Sequence, residues 1–180
     1  MIKYNPRKIP EPITSVPAKM FHIVLYQPEI PPNTGNIIRL CANTGANLHL
    51  IQPMGFDFTH RKLKRAGLDY HEFASVQIHN NFEQFNSAIS PRSIYACSTK
   101  GKLNYSDCLY QAGDAFVFGP ETRGLPDHML INEHNQHVIR IPMLPHSRSI
   151  NLSNTVAIIL YEAWRQNSFS QHHICLIGHI

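Results

Sequence analysis

The stretch FHIVLYQPEIPPNTGNIIRLCANTGANLHLIQ, residues 21–52, contains a complete strand–helix–strand unit. Its two ends, FHIVLY (21–26) and NLHLIQ (47–52), are short apolar runs of the length of buried strands. Four positions between them recur at helical spacing: Ile37, Leu40, Cys41 and Thr44. Gly45 follows as a residue suited to end that helix. The pattern predicts two parallel strands joined by a helix.

The same alternation continues along the chain. Three further runs predict buried strands: SIYAC (93–97), AFVFG (115–119) and HVIRI (137–141). Arg61–Ala66 and Phe82–Ile89 are helix candidates. We therefore expect an α/β fold, a Rossmann-like parallel sheet with helices on both faces.

Composition is typical of one compact domain that remains in a reducing compartment. The chain has 180 residues, 43% of them hydrophobic and 16% charged, and its formal charge of +4 permits a nucleic-acid partner without requiring one. Four separated cysteines indicate reduced thiols in a cytoplasm. No apolar run is long enough to span a membrane, and residues 1–20, rich in proline, do not resemble a secretory signal.

Three strand-to-helix loops carry an unusual density of polar residues: 27–36, 119–126 and 141–154. Because ligands of open α/β sheets bind at the carboxyl ends of the strands, these loops are the expected site. One serine or asparagine would cap the helix that follows residue 152, and Ser153 or Asn154 is suited to that role. The remaining polar residues of the last loop are available to build a site.

Several familiar sites are excluded. Gly119 and Gly124 have the spacing of a phosphate-binding loop, but Leu125 and Pro126 stand where that loop needs lysine and serine or threonine. There is no GxGxxG after the first strand and no GxSxG. The twelve histidines show no HExxH or zinc spacing, so we expect scattered surface histidines and no metal.

Together the three loops resemble a known family. N-T-G-N-x-x-R, F-G-P-E-T-R-G-L-P and I-P-M-x-x-x-S-R-S-I-N-L-S-N are similar to the signatures of SPOUT-class RNA ribose methyltransferases. Within that class they most resemble the bacterial enzymes that 2′-O-methylate the wobble nucleotide, cytidine or modified uridine, of leucine tRNAs. The resemblance covers about Phe21 to Gln166.

The resemblance implies a C-terminal deep trefoil knot, S-adenosylmethionine (SAM) bound in the knotted loops, tRNA as substrate, and a homodimer with sites near the interface. It divides the chain into an N-terminal arm (1–20), a methyltransferase domain (21–167) and a C-terminal tail (168–180). The arm and the tail have no counterpart in the family pattern.

The resemblance also implies the site residues. The expected SAM-binding residues are Cys97, Thr99, Gly119, Glu121, Gly124, Ile141, Met143 and Ser149. The expected catalytic residues are Arg39, Ser149 and Asn151. Since a guanidinium stays protonated, Arg39 is better suited to orient the ribose or phosphate and stabilise alkoxide charge than to act as a base. A structural pair between Arg39 and Glu121 is the alternative.

Other features concern partners. The basic run 60–65 could contact tRNA phosphates or form a solvated helix face. The helix from about Ser153 to Gln166 has an apolar stripe and two further aromatic residues, Tyr161 and Trp164, so we expect a second subunit to cover part of it. The alternative is a helix enclosed by its own chain, for example by the C-terminal tail. The alternatives to wobble methylation are another RNA target and a non-catalytic RNA-binding protein of the same fold.

Overall fold

The computed structural model describes residues 21–58, 76–131 and 136–169. The strands are β1 (His22–Tyr26), β2 (Asn47–Ile51), β3 (Val76–His79), β4 (Ile94–Cys97), β5 (Leu103–Asn104), β6 (Ala115–Phe118) and β7 (Gln136–Arg140). The helices are α1 (Pro31–Thr44), α2 (Phe82–Ile89) and α3 (Leu152–Gln166), with short 3-10 turns at Tyr105–Asp107 and Asp127–Leu130.

The seven strands form one parallel sheet in the order β3-β2-β1-β6-β4-β7-β5. All five predicted strands are present, which confirms the α/β prediction. The sequence did not predict β3 and β5, the strands at the two ends of this order. The knot stays a prediction, and the arm, the basic run and most of the tail lie outside the described residues.

Successive strand residues face opposite sides of the sheet, and each side has its own core. On one side, Ile23 and Leu25 of β1 belong to a buried cluster with residues of α1 and α3. On the other side, Val24 packs in a second cluster with Phe85 of α2. The prediction of helices on both faces is therefore confirmed.

Local signals explain the helix ends. Gly45 adopts a left-handed φ of 74° and ends α1, as predicted. The side chain of Asn81 accepts a hydrogen bond from the Gln84 N–H and begins α2. The span of α2 agrees with the predicted Phe82–Ile89.

The expectation of surface histidines is wrong at three positions. His22, His49 and His79 lie on neighbouring strands and are 8%, 0% and 5% exposed. His22 Nδ1 lies 2.9 Å from His49 Nε2, and His49 Nδ1 lies 3.0 Å from His79 Nε2. Phe85 packs edge-on against the rings of His49 and His79. The register of the parallel strands places these rings side by side, and hydrogen bonding allows them to be buried.

Burial controls the charge of this row of histidines. Desolvation, reinforced by the neighbouring His22 and His79, lowers the pKa of His49 to about 3. Desolvation also lowers the pKa of His79. His49 and His79 are therefore neutral at physiological pH.

Candidate active site

A cavity of about 460 Å³ opens at the carboxyl edge of the sheet, among the loops that follow β4, β6 and β7. It is also lined by Ile30 and Asn33, where α1 begins. All eight predicted SAM-binding residues line it: Cys97, Thr99, Gly119, Glu121, Gly124, Ile141, Met143 and Ser149. Asn151, predicted to be catalytic, lines it as well. The fold thus brings these nine residues around one space.

Glycine stands at two positions of the loop after β6, Gly119 and Gly124, for different structural reasons. A Cβ at Gly119 would overlap the backbone of Gly124 and Leu125, so the loop can fold back on itself only with glycine there. Gly124 has a left-handed φ of 70°, and no atom lies within 4 Å of where its Cβ would be. Gly124 therefore offers open backbone to a ligand, whereas Gly119 is required by the loop.

Glu121 joins the β6 loop to the beginning of α1. One carboxylate oxygen accepts the Glu29 N–H at 2.8 Å, and the other accepts the Ile30 N–H at 3.2 Å and Asn33 Nδ2 at 3.0 Å. The N-cap residue Ile30 has no capping side chain of its own. The carboxylate thus satisfies the N–H groups of Glu29 and of the N-cap residue Ile30, just before the helix, and places negative charge near the positive end of the helix dipole.

Asn33 extends this network to the last loop. Its Oδ1 accepts a hydrogen bond from Asn151 Nδ2 at 3.0 Å. Asn33 is 6% exposed, so its amide is held almost entirely by protein. Glu121, Asn33 and Asn151 therefore form one chain of hydrogen bonds that ties together the segments after β1, β6 and β7.

The helix cap differs from the prediction. We expected Ser153 or Asn154 to cap α3, but Asn151 Oδ1 accepts the Ser153 N–H at 2.9 Å and Ser153 Oγ at 2.7 Å. Asn151 thus caps α3 with its oxygen and binds Asn33 with its nitrogen. One side chain does both tasks, because an amide has an acceptor and two donors.

A second cluster supports the β6 loop from outside. The carboxylate of Glu29 accepts hydrogen bonds from the Thr122 N–H and Oγ1 and from Arg123 Nη1. The Thr122 hydrogen bond, followed by the charge of Arg123, lowers the pKa of Glu29. Arg123 Nη2 also donates to Gln27 Oε1 at 2.9 Å. This carboxylate is therefore ionised and holds the loop.

Sequence reasoning gave no role to Glu29 and Asn33. Asn33 is the first residue of the N-T-G-N-x-x-R motif, so its position in a motif was a signal. Its partners lie 88 and 118 residues away, and no local pattern indicates them.

Cys97 is a wall of the cavity rather than a nucleophile. Burial raises the pKa of its thiol well above the ordinary value, and its Sγ donates to the Tyr95 carbonyl at 3.6 Å. A neutral thiol of this kind is a small, weakly polar packing group.

Arg39 is the predicted residue that the fold does not bring to the cavity. It lies on α1, is exposed, and is not among the residues that line the cavity. Its predicted catalytic role stays a prediction.

Within the described ranges, no group of three or more His, Cys, Asp or Glu could hold a metal ion. In those same ranges, no helix is long and apolar enough to cross a membrane.

Comparison with known proteins agrees with this geometry. The SpoU rRNA Methylase family matches the chain over residues 20–161, which include every segment that lines the cavity. The chain belongs to the SpoU rRNA Methylase family.

Relatives of this SpoU family member are similar over nearly their whole length. A tRNA (cytidine(34)-2'-O)-methyltransferase of Methylovorus glucosotrophus (strain SIP3-4) is 58% identical over 151 residues, 84% of this chain and 98% of that protein. A protein of the same name from Escherichia coli (strain K12) is 57% identical over 147 residues, 82% and 94% of the two chains.

A solved structure has a fold similar to that of this chain. The structure described as "Structural insights into the 2-OH methylation of C/U34 on tRNA" superposes with a TM-score of 0.75 at 43% identity, covering 83% of this chain and 97% of that one.

Proposed function

We propose that this chain is a SAM-dependent methyltransferase that modifies the ribose 2′-hydroxyl of nucleotide 34, the wobble nucleotide, of tRNA. The observation that carries the proposal is the 58% identity to a tRNA (cytidine(34)-2'-O)-methyltransferase across 98% of that protein. Cytidine or modified uridine is the proposed base, and leucine tRNAs are the proposed substrates. The site of action is the cytoplasm, where tRNA is modified.

The cavity fits the proposed cofactor. Its volume of about 460 Å³ lies within the range of sites for small molecules. Leu125, Ile141 and Met143 provide apolar walls for the adenine, and Gly124 exposes backbone. When bound, SAM supplies a methyl group on a sulfonium, from which a neutral thioether is a good leaving group. The residues proposed to hold SAM are the eight predicted ones that line the cavity.

The protein's part in methyl transfer is to position the reacting groups, which can supply roughly 7–11 kcal/mol of the barrier. The Glu121–Asn33–Asn151 chain fixes the segments after β1, β6 and β7 relative to one another, so these three walls of the cavity hold one another in place. Ser149 is exposed and lines the cavity, and we assign it to the incoming ribose. Asn151 positions that loop by capping α3.

Arg39 is proposed to act at the site of the partner subunit. It is exposed on α1 and does not line the cavity of its own chain. In a homodimer with sites near the interface, an exposed arginine of one subunit can reach the ribose or phosphate bound to the other. There its fork of donors would orient the ribose or phosphate and stabilise the negative charge that develops on the hydroxyl oxygen in the transition state.

The proposed dimer surface includes Tyr161 of α3. Tyr161 is 46% exposed, although the adjoining face of α3 is buried. Trp164 was expected to be covered by a second subunit, but it is already only 8% exposed within its own chain. Phe169 packs against it at 5.4 Å between ring centroids. The chain itself covers Trp164, so only Tyr161 of the two aromatic residues supports a dimer.

The direct test of the proposed function is nucleoside analysis of methylated tRNA.

A further inference from the structure

A second pocket lies beside the carboxyl ends of β1 and β2 and extends to Gln136, where β7 begins. Its volume is about 180 Å³, and it lies where β1 and β2 end, between the start of α2 and the 3-10 turn Asp127–Leu130. Cofactors and drug-sized ligands occupy roughly 300–1,000 Å³. The second pocket is therefore large enough for a single ring-sized group and too small for another cofactor.

The lining of the second pocket combines aromatic rings with side-chain amides. Its main residues are Tyr26, Gln52, Asn81, Phe82, His128 and Gln136. The described residues that line it include no lysine or arginine and one carboxylate, Glu83. The cavity, in contrast, is lined by Lys100, Arg123 and Arg140. The second pocket thus suits an uncharged planar group with donors and acceptors on its edge rather than a phosphate.

Two of these amides are held in place before any ligand arrives. Asn81 Oδ1 accepts the Gln84 N–H at 2.8 Å, and Gln136 Nε2 donates to the Met129 carbonyl at 2.7 Å. Each amide has further hydrogen-bonding capacity beyond the one bond named. Groups fixed in this way lose little conformational entropy when they bind a ligand.

Gln27 connects the second pocket to the proposed active site. It lines the pocket, and its Oε1 accepts a hydrogen bond from Arg123, which lines the cavity. Gln27 has a φ of 50°, in the left-handed region that non-glycine residues rarely adopt. Such backbone strain is concentrated at functional sites, where the surroundings hold it. An occupant of the pocket and a ribose in the cavity would thus lie on either side of one hydrogen bond.

We propose that the second pocket binds a nucleobase of the tRNA loop other than that of nucleotide 34. The inference rests on the proposed function, which places a single-stranded tRNA loop at this edge of the sheet. RNA loops are recognised through unstacked bases that stack on aromatic side chains and hydrogen-bond along their edges, and the pocket offers both kinds of group. The bound base sets the position of the loop, so that the ribose of nucleotide 34 enters the cavity.

The test is a set of anticodon stem-loop RNAs in which each loop nucleotide except 34 is replaced in turn by an abasic residue. Binding to the full chain is measured by fluorescence anisotropy. For the wild type, one abasic position should weaken binding about tenfold, as loss of a stacked base does. The same titrations are made with Gln52→Ala and Tyr26→Ala. Gln77→Ala is the matched control, an exposed glutamine on β3 that does not line the pocket.

In both pocket variants, we expect the effect of that abasic position to fall to about threefold or less, while Gln77→Ala keeps the full effect. Equal effects in all variants, or no effect of any abasic position, would overturn the proposal. Because Gln52 is exposed, its variant tests the pocket even if Tyr26→Ala fails to fold. Methyl transfer to the same RNAs is measured separately. If the abasic effect is reduced in the pocket variants but no RNA is methylated, the proposed function is refuted. If the RNAs are methylated but the abasic effect is the same in all variants, the proposed role of the pocket is refuted.

Discussion

The side chain of Asn33 accepts a hydrogen bond from Asn151, 118 residues further along the chain, at 3.0 Å. Through Glu121, which accepts from Asn33 at 3.0 Å, this bond joins the loops after β1, β6 and β7. The cavity keeps its shape only while these loops stay together. Asn33 should therefore matter to SAM binding because it positions the loops around the cofactor.

Asn33→Ala should lower the free energy of unfolding by about 1–3 kcal/mol, since it leaves buried polar partners without their hydrogen bonds. It should also weaken SAM binding measured by calorimetry. Asn33→Asp should be worse near pH 7, because it places a carboxylate beside that of Glu121. Asn36→Ala, at an exposed position of the same helix, is the control and should change neither quantity. Wild-type SAM affinity in Asn33→Ala would contradict the positioning role.

Gly119→Ala should abolish SAM binding, because the added methyl group overlaps the backbone of Gly124 and Leu125 and forces the β6 loop to move. Gly124→Ala meets no atom but must hold a left-handed φ, so its cost in stability should be only about 1 kcal/mol. Thermal unfolding and calorimetry on the two variants would separate these effects. Normal SAM binding by Gly119→Ala would show that the loop is not packed as described.

Stability should fall as the pH is lowered from about 6.5 toward 3, because of the buried histidines. The pKa of folded His49 is lowered from 6.5 to about 3, so between these values the unfolded chain binds one more proton than the folded chain. The stabilisation is present above the unfolded pKa and is lost at up to about 1.4 kcal/mol per pH unit below it.

Urea unfolding at pH 7 and pH 5 measures this slope. His49→Gln removes the titrating group and should reduce the difference between the two pH values, whatever its effect on stability at pH 7. His146→Gln, at an exposed histidine, should leave the difference unchanged. The idea would be refuted by a His49→Gln variant with the slope of the wild type.

Arg39→Ala should lower methyl transfer far more than SAM affinity, and Arg39→Lys should restore little, because a point charge does not replace a bidentate fork. If Arg39 acts on the partner's site, a mixture of inactive Arg39→Ala and inactive Ser149→Ala subunits should regain part of the activity. Mixed dimers would contain one site with an intact Ser149 and an intact partner Arg39.

Tyr161→Asp is the companion to this experiment. It should shift the protein toward monomers in sedimentation and abolish the recovery of activity on mixing, since its exposed side chain is placed on the proposed interface. Failure of the mixture to recover activity, with wild-type dimers intact, would place Arg39 at its own subunit's site or assign it a structural role.

Periodic apolar runs predicted most of the fold. The five predicted strands were found within about one residue. β1, β2 and β6 are buried almost throughout and gave clear apolar runs, whereas β7 was found although His137 and Arg140 are exposed. β3 was missed because Gln77 and Ile78 are exposed, as suits a strand at the end of the sheet, and β5 has only two residues. The ends of α2 were predictable because their signals are local.

Long-range contacts account for what the sequence did not reveal. The bond between Asn33 and Asn151 joins residues 118 apart, and the burial of His49 depends on the strand register. The cavity residues were predicted through a family resemblance, since the spacing of Gly119 and Gly124 alone first suggested a phosphate loop. Arg39 shows the limit of that approach, because the motif did not indicate that Arg39 lies outside the lining of the cavity.

The identity of the methylated nucleotide decides whether the proposed function is correct. Purified protein, unmodified leucine tRNA and SAM with a labelled methyl group should be incubated, and the tRNA digested and analysed by mass spectrometry. We expect one methyl group per tRNA, on the ribose 2′-oxygen of nucleotide 34, and none on a transcript in which that nucleotide carries a 2′-deoxyribose. A methyl group on a base, at another position, or on the 2′-deoxy transcript would contradict it.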